Sequence, residues 1–365
     1  MNSSYKIGSV IGIPIKIHIT FLLVLPVFAL VFATNPQPYG FADIGSPLMT
    51  YGLSLLTTVL LFVCVLLHEL GHSYIAKGYG VEIKDITLML LGGVSSMEEI
   101  PREPAQELKM AFAGPLVSLL IGFALLILNI VVSAYIPSYS STWVYLMVNI
   151  LGSINIILGI FNLIPAFPMD GGRILRAIFA KRMNYVKATH LAASVGKMFA
   201  FLMAVTGVFV FGNFWLVLIA FFVYMGASGE DQSTAVSVSL EKYKVADLMS
   251  ENVISVEPEM SVEDLSHFMF ENKHLGYPVM KGNSLKGIVT FTDIRNVLPH
   301  ERYAVLVSDV MTKDVVTLPS SASATEAFKV MSANNIGRIL VVDNDSVTGI
   351  LSRTDLMRSL MLLTE

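Results

Sequence analysis

Residues 49–77 make an apolar run long enough to cross a bilayer, yet His68, Glu69 and His72 fall within five consecutive positions of it. An ionisable side chain near the bilayer centre costs about 2.5–3.5 kcal/mol even on the lenient insertion scale. Three so close together need a compensating partner, and a metal ion is an economical one. The H-E-x-x-H spacing supplies the geometry. On a helix, His68 and His72 lie one turn apart on the same face, so two imidazole nitrogens can reach one Zn²⁺. Glu69 points to a neighbouring position, where a carboxylate can take a proton from a water activated by the metal. The alternative, a surface helix with solvated histidines, fits poorly with residues 52–67, which hold no charged side chain.

The wider chain has a membrane protein's character, with mean hydropathy +0.67 and 14% charged residues. The charge is concentrated in residues 229–365, which read as a soluble domain, while residues 1–228 are mostly apolar. A net charge of −4 without a basic run speaks against a nucleic-acid partner. The single cysteine, Cys64, excludes an internal disulfide. Residues 1–17 lack a signal-peptide pattern, so the first apolar run reads as a retained anchor.

Six apolar runs, at about 18–35, 49–77, 109–136, 142–168, 197–211 and 214–228, predict about six transmembrane helices. The last two are short enough to form a re-entrant hairpin instead. Lys and Arg occupy the N-terminus, loop 78–108, segment 173–197 and the C-terminal half, whereas loops 36–48, 137–141 and 212–213 hold none. That alternation places both termini in the cytoplasm. Lys77 then marks the cytoplasmic end of the second helix, and His68 lies roughly 13 Å below it at ~1.5 Å per residue. Water must enter from that side. Residues 81–97 show partial period-two alternation followed by Gly92-Gly93, which predicts two short strands, a β hairpin near the cytoplasmic side; a plain amphipathic loop is the alternative.

A catalytic zinc usually takes three protein ligands and keeps one position open. Asp170, between Pro165/Pro168 and Gly171-Gly172, sits where a helix must break. A ligand and an ordinary Asp-Gly turn are equally compatible with that setting. Asn162 is a polar amide in an apolar run, able to donate to an oxyanion or to a neighbouring helix, but Asn129, Asn149 and Asn155 share that character. Cys64, one turn before His68, reads as packing, because a fourth ligand would close the site. His18 reads as interfacial, and His190, His267, His274 and His300 have no ligand-like spacing.

His68-Glu69-Leu70-Gly71-His72 in an apolar helix, followed a hundred residues later by Phe161-Asn162-Leu-Ile-Pro165-Ala-Phe-Pro168-Met-Asp170-Gly-Gly172, resembles the site-2 protease family of intramembrane zinc metalloproteases (peptidase M50 type). The resemblance covers about residues 10–228, and includes Gly92-Gly93-Val94 and Ala113-Gly114-Pro115. It implies one zinc held by His68, His72 and Asp170, Glu69 as the base, and Asn162 at the substrate or its oxyanion. It also implies that the hairpin holds a transmembrane protein substrate as an added strand.

After a polar linker at 229–243, the chain repeats itself at an offset of 62: Val245-Ala-Asp-Leu-Met249 matches Val307-Ser-Asp-Val-Met311, and Gly287–Asp293 matches Gly349–Asp355. Each copy reads as strand, helix, two strands, helix, and a two-copy repeat suggests halves that bury each other's sheets. The copies, 244–300 and 306–365, resemble a tandem pair of CBS domains, a soluble α/β module. That resemblance implies an adenine nucleotide bound through Thr290 with Asp293 and through Ser352 with Asp355. The alternative is a module that only forms a homodimer, its aspartates capping helices.

The expectation is therefore a multi-pass protein of the cell membrane with a cytoplasmic CBS pair. It would cut transmembrane segments of other membrane proteins, with nucleotide as a regulator. A CBS-regulated divalent-metal transporter and an inactive binder of membrane helices are the competing readings. A transporter has no need of Glu69 beside the histidines, and an inactive binder has no need of the full set of ligands, base and Asn162.

Overall fold

The computed structural model describes residues 4–89, 92–97 and 101–363, in two compact units, Met1–Gln232 and Ser233–Glu365. The first unit opens with a hairpin, β1 (Ser4–Val10) and β2 (Ile13–His18), followed by helix α1 (Phe21–Thr34) and the long α2 (Pro47–Gly78). Strands β3 (Ile83–Met89) and β4 (Gly92–Met97) follow, then α3 (Pro104–Tyr135), α4 (Trp143–Asn162), α5 (Asp170–Ala180), α6 (Tyr185–Phe209) and α7 (Phe214–Leu240). Five of these, α2, α3, α4, α6 and α7, are long and apolar enough to cross a membrane. The last two apolar runs therefore lie in helices of 25 and 27 residues rather than in short hairpin arms. Residues 229–240 continue α7, and the division between the units falls within it.

The first apolar run differs from expectation. Its helix has only 14 residues, about 21 Å at ~1.5 Å per residue, against a hydrocarbon core of about 30 Å. Strand β2, which precedes the run, lies along α2 as well. Ile13 and Ile15 of β2 pack with Leu66 and Leu70 of α2, then Phe21 and Val24 with Phe62, and finally Phe32 and Phe41 with Leu53 and Leu61. Strand and helix thus line α2 in sequence. β2 is paired on both sides, by β1 and β3, and its Ile13 and Ile15 are buried. The sheet order is β1-β2-β3-β4, with β2 parallel to β3 (Ile15 opposite Ile86) and the other pairs antiparallel. The hairpin expected in 81–97 is the β3/β4 pair, with residues 90 and 91 outside the described residues.

Lys16 Nζ clips the β2–β3 contact by donating to Asp85 Oδ2 at 2.7 Å, and Thr87 and Ser96 hydroxyls donate to Oδ1. Burial alone raises the Asp85 pKa, but Lys16 and the hydroxyls outweigh it and hold the carboxyl below its ordinary value. A depressed folded-state pKa gives stability that is present above the unfolded value, about 3.9, and lost as pH falls through the folded one. Asp85→Asn should lower stability at pH 7 by about 0.5–1 kcal/mol, a partly exposed pair's worth. The gap from wild type should narrow below about pH 4, as read from thermal melts across that range. A gap independent of pH would rule out the ion pair as its source.

In the second unit the repeat folds as two similar halves. One has α9 (Val262–Asn272), β5 (Gly276–Lys281), β6 (Ser284–Thr290) and α10 (Phe291–Arg295), with Val256 bridging Val279 in place of a first strand. The other has β7 (Thr317–Leu318), α12 (Ala324–Ala333), β8 (Arg338–Asp343), β9 (Ser346–Ser352) and α13 (Arg353–Leu363). Short helices α8 (Val245–Leu248) and α11 (Val307–Val310) introduce the halves. Met249, after α8, packs on Gly349 of β9, and Met311, after α11, packs on Gly287 of β6 with Sδ 2.8 Å from where a Cβ would stand. Each copy thus seals its partner's sheet, at equivalent positions of the repeat.

Candidate metal centre

Two turns of α2 and the start of α5 bring three acceptor atoms together. His68 Nε2 lies 3.3 Å from Asp170 Oδ2, His72 Nε2 lies 3.2 Å from the same oxygen, and the two imidazole nitrogens are 3.2 Å apart. Ligands about 2.0–2.1 Å from a tetrahedral zinc stand about 3.3 Å from one another, so the triangle has the size such an ion requires. Both histidines are buried, at 4% and 7% exposure.

Their outer nitrogens fix their orientation. His72 Nδ1 lies 2.7 Å from the Met110 carbonyl of α3, an acceptor only, so Nδ1 carries the proton and neutral Nε2 keeps its lone pair for the centre. His68 Nδ1 bonds Ser118 Oγ, also on α3, at 2.9 Å. Between Met110 and Ser118 lies Gly114. A Cβ there would stand 2.6 Å from His68 Nε2 and from His72 Cε1. The donors thus occupy space that only glycine leaves open.

Asp170 is the first residue of α5, and so opens a helix while its carboxylate faces the histidines. Its two following glycines let the preceding turn fold back on the helix. A Cβ at Gly171 would meet the Leu163 carbonyl oxygen at 2.5 Å, and one at Gly172 the Phe167 nitrogen at 2.6 Å.

Glu69 is half-buried beside this triangle. Its Oε2 accepts from Ser95 Oγ of β4 at 2.8 Å, and Ser73 Oγ of α2 donates to Ser95 Oγ at 3.3 Å. Gly93 of β4 faces the same side chain, with a built Cβ 2.5 Å from Glu69 Cγ. Asn162, the last residue of α4, donates to Leu158 O of its own helix at 3.0 Å, and among the described residues no hydrogen bond joins it to the triangle. Cys64 is buried and lies outside the three-residue cluster. His190 and His267 face carboxylates at the surface, while His18 bonds Thr20.

Sequence reasoning did not single out Ser95, Ser73, Ser118 or the Met110 carbonyl. Hydroxyls and a main-chain oxygen carry no spacing signal, because their role depends on which helix or strand they face.

In the second unit, Thr290 N and Oγ1 both donate to Asp293 Oδ2, at 2.7 and 2.8 Å. Ser352 N and Oγ do the same to Asp355 Oδ2, at 3.0 and 2.5 Å. Both aspartates therefore cap helices, α10 and α13, with one carboxylate oxygen.

Comparison with known proteins follows the same division. The model of peptidase family M50 matches residues 56–139 and 130–205, and the CBS domain model matches 245–300 and 307–362. A zinc metalloprotease of Methanocaldococcus jannaschii is 39% identical over 364 residues, covering 100% of this chain and 98% of its own. A relative in Synechocystis sp. is 28% identical over 99% of this chain and 96% of its own. Among solved structures, the site-2 protease from M. jannaschii is 40% identical and covers 62% of this chain and 95% of its own, with a TM-score of 0.44.

Proposed function

Because the chain belongs to peptidase family M50, and to its zinc metalloproteases that carry CBS domains, we propose that it hydrolyses peptide bonds in or beside transmembrane segments of other membrane proteins. The observation that carries this reading is the triangle of His68, His72 and Asp170, with the Glu69 carboxylate beside it, the two histidines and Glu69 standing on a helix long and apolar enough to cross a bilayer. His68, His72 and Asp170 would hold a zinc ion, which would supply a Lewis acid to acidify water and polarise a peptide carbonyl.

The remaining work belongs to the chain's own groups. Glu69 takes the proton of the attacking water and later delivers it to the leaving amine nitrogen. Ser95 Oγ bonds Oε2, so Oε1 is the oxygen assigned to that transfer. Asn162 serves the substrate's carbonyl oxygen by exchanging its Leu158 acceptor for it. β4 stands at the end of its sheet, so its outer edge can pair with an extended substrate segment beside Glu69. That pairing offsets backbone bonds a helical substrate loses when it unwinds. The Lys and Arg distribution supports cytoplasmic termini, with water and product exchanging on that side.

The test is cleavage of single-span substrates by the purified protein in liposomes. Products whose termini map within or next to the span are expected. Cleavage confined to soluble peptides would overturn the intramembrane part.

The CBS pair is assigned an adenine nucleotide. Capping uses Oδ2 of Asp293 and Asp355, and a carboxylate has a second oxygen with which to accept from a ribose hydroxyl. ATP, ADP or AMP at a hundred times its dissociation constant should stabilise the protein by about 2.7 kcal/mol. Asp293→Ala or Asp355→Ala should remove that gain at its site, as read by thermal shift and calorimetry. No shift with any of the three nucleotides would sink the assignment.

A further inference from the structure

Arg176, on α5, is 1% exposed and lies at the centre of a contact between five parts of the membrane unit. Its Nε donates to Glu107 Oε1 of α3 at 2.8 Å, and its Nη1 to Glu230 Oε1 of α7 at 2.6 Å. The guanidinium lies over the Phe167 ring at 5.1 Å and over the Tyr185 ring of α6 at 4.8 Å. Glu107 is itself fully buried, and among the described residues its Oε2 has no hydrogen-bond partner. Burying such a group is expensive, and an apolar contact of the same volume holds helices together as well or better. The arrangement is therefore poorly explained by bundle stability alone.

Its neighbours say what it holds. Phe167 belongs to the turn that delivers Asp170, and α5 begins at Asp170. Glu107 precedes by three residues Met110, whose carbonyl orients His72. The planar fork thus ties the element bearing the third donor to the element that orients the other two. We infer that Arg176 is a positioning residue that sets Asp170 against His68 and His72. This rests on the metal-site reading above. An ammonium is a point charge that cannot lie flat between two rings while bonding two carboxylates in different directions, so Arg176→Lys is the informative conservative change. Glu107→Gln with Arg176→Gln is its companion, since it removes both charges of the fully buried pair, while Glu230, 31% exposed, keeps solvent beside its carboxylate.

The experiment measures zinc affinity, the visible absorption of the Co²⁺-substituted protein and the melting of the metal-free protein, for wild type and both variants. Groups that orient metal ligands typically change affinity 10- to 100-fold. Both variants are expected to bind zinc at least tenfold more weakly and to show a shifted Co²⁺ spectrum, while the metal-free double variant melts within a few degrees of wild type. Where cleavage is measurable, kcat should fall with KM within about twofold, because the substrate's contacts are elsewhere. Wild-type zinc affinity and Co²⁺ spectrum in a folded variant would overturn the role, leaving Arg176 a structural residue. A wild-type protein that binds no zinc would overturn the metal site itself, and this inference with it.

Discussion

Glu69→Gln is expected to lower peptide hydrolysis by at least a thousandfold while leaving the zinc content of the purified protein at one per chain. General acid–base catalysis contributes about 10²–10⁴-fold, and here one carboxylate serves both proton transfers. The amide has nearly the same shape and can still accept from Ser95 Oγ through its oxygen, so the contact with β4 survives. It cannot take a proton from water. The three donor atoms do not include Glu69, so the metal should be retained. Elemental analysis and liposome cleavage on the same preparation decide the matter. An active variant would remove Glu69 from its role; a metal-free one would mean that the carboxylate helps hold the site. Loss of activity with metal retained also argues against a metal transporter, in which a neutral amide beside the ligands need not stop transport.

The residues legible in sequence are those whose chemistry is costly in an apolar setting. His68, Glu69 and His72 stand out because the sixteen residues before them hold no charge, whereas the prolines and glycines around Asp170 mark a break that suits a ligand or a turn equally, and only the resemblance to the site-2 protease family selects the ligand. The repeat at 62 residues is likewise a linear signal, and it becomes the exchanged Met249 and Met311 contacts. Partnerships formed at long range were hidden. Arg176 looks like one member of a basic segment until Glu107 and Glu230, 69 and 54 residues away, are seen around it. Strands β1 and β2 were missed for a related reason. Lys6 and Lys16 are the N-terminal cations that precede the first apolar run, and the apolar residues of Ile13–Ile17 merge into that run, which obscures their period of two. Pairing of β2 with β3 decides their conformation, and that partner lies about seventy residues downstream.

Gly114→Ala should cost the protein its zinc without costing it its fold. In most helices this substitution stabilises, by up to about 1 kcal/mol, because alanine is the better helix former. Here the added methyl would stand 2.6 Å from His68 Nε2, and closer still to His72 Nε2. These are not the ends of flexible side chains. Each ring is held from behind, by Ser118 and by the Met110 carbonyl, on the same helix that would carry the methyl. Relief requires at least one imidazole to break that bond and rotate away, which separates nitrogens now 3.2 Å apart. Zinc affinity should therefore fall by two orders of magnitude or more, a larger loss than from removing an orienting hydrogen bond alone. Hydrolysis should fall with it. Gly52→Ala is the control, since Gly52 lies in α2 with nothing within 4 Å of a built Cβ, and it should keep both metal and activity. Zinc per chain after dialysis, set beside the melting of the metal-free proteins, separates the outcomes. If Gly114→Ala retained zinc at the wild-type level, the two Nε2 atoms could not be ligands in the arrangement described. If it lost its fold together with its metal, the glycine would serve helix packing, and the steric reading of the site would fail.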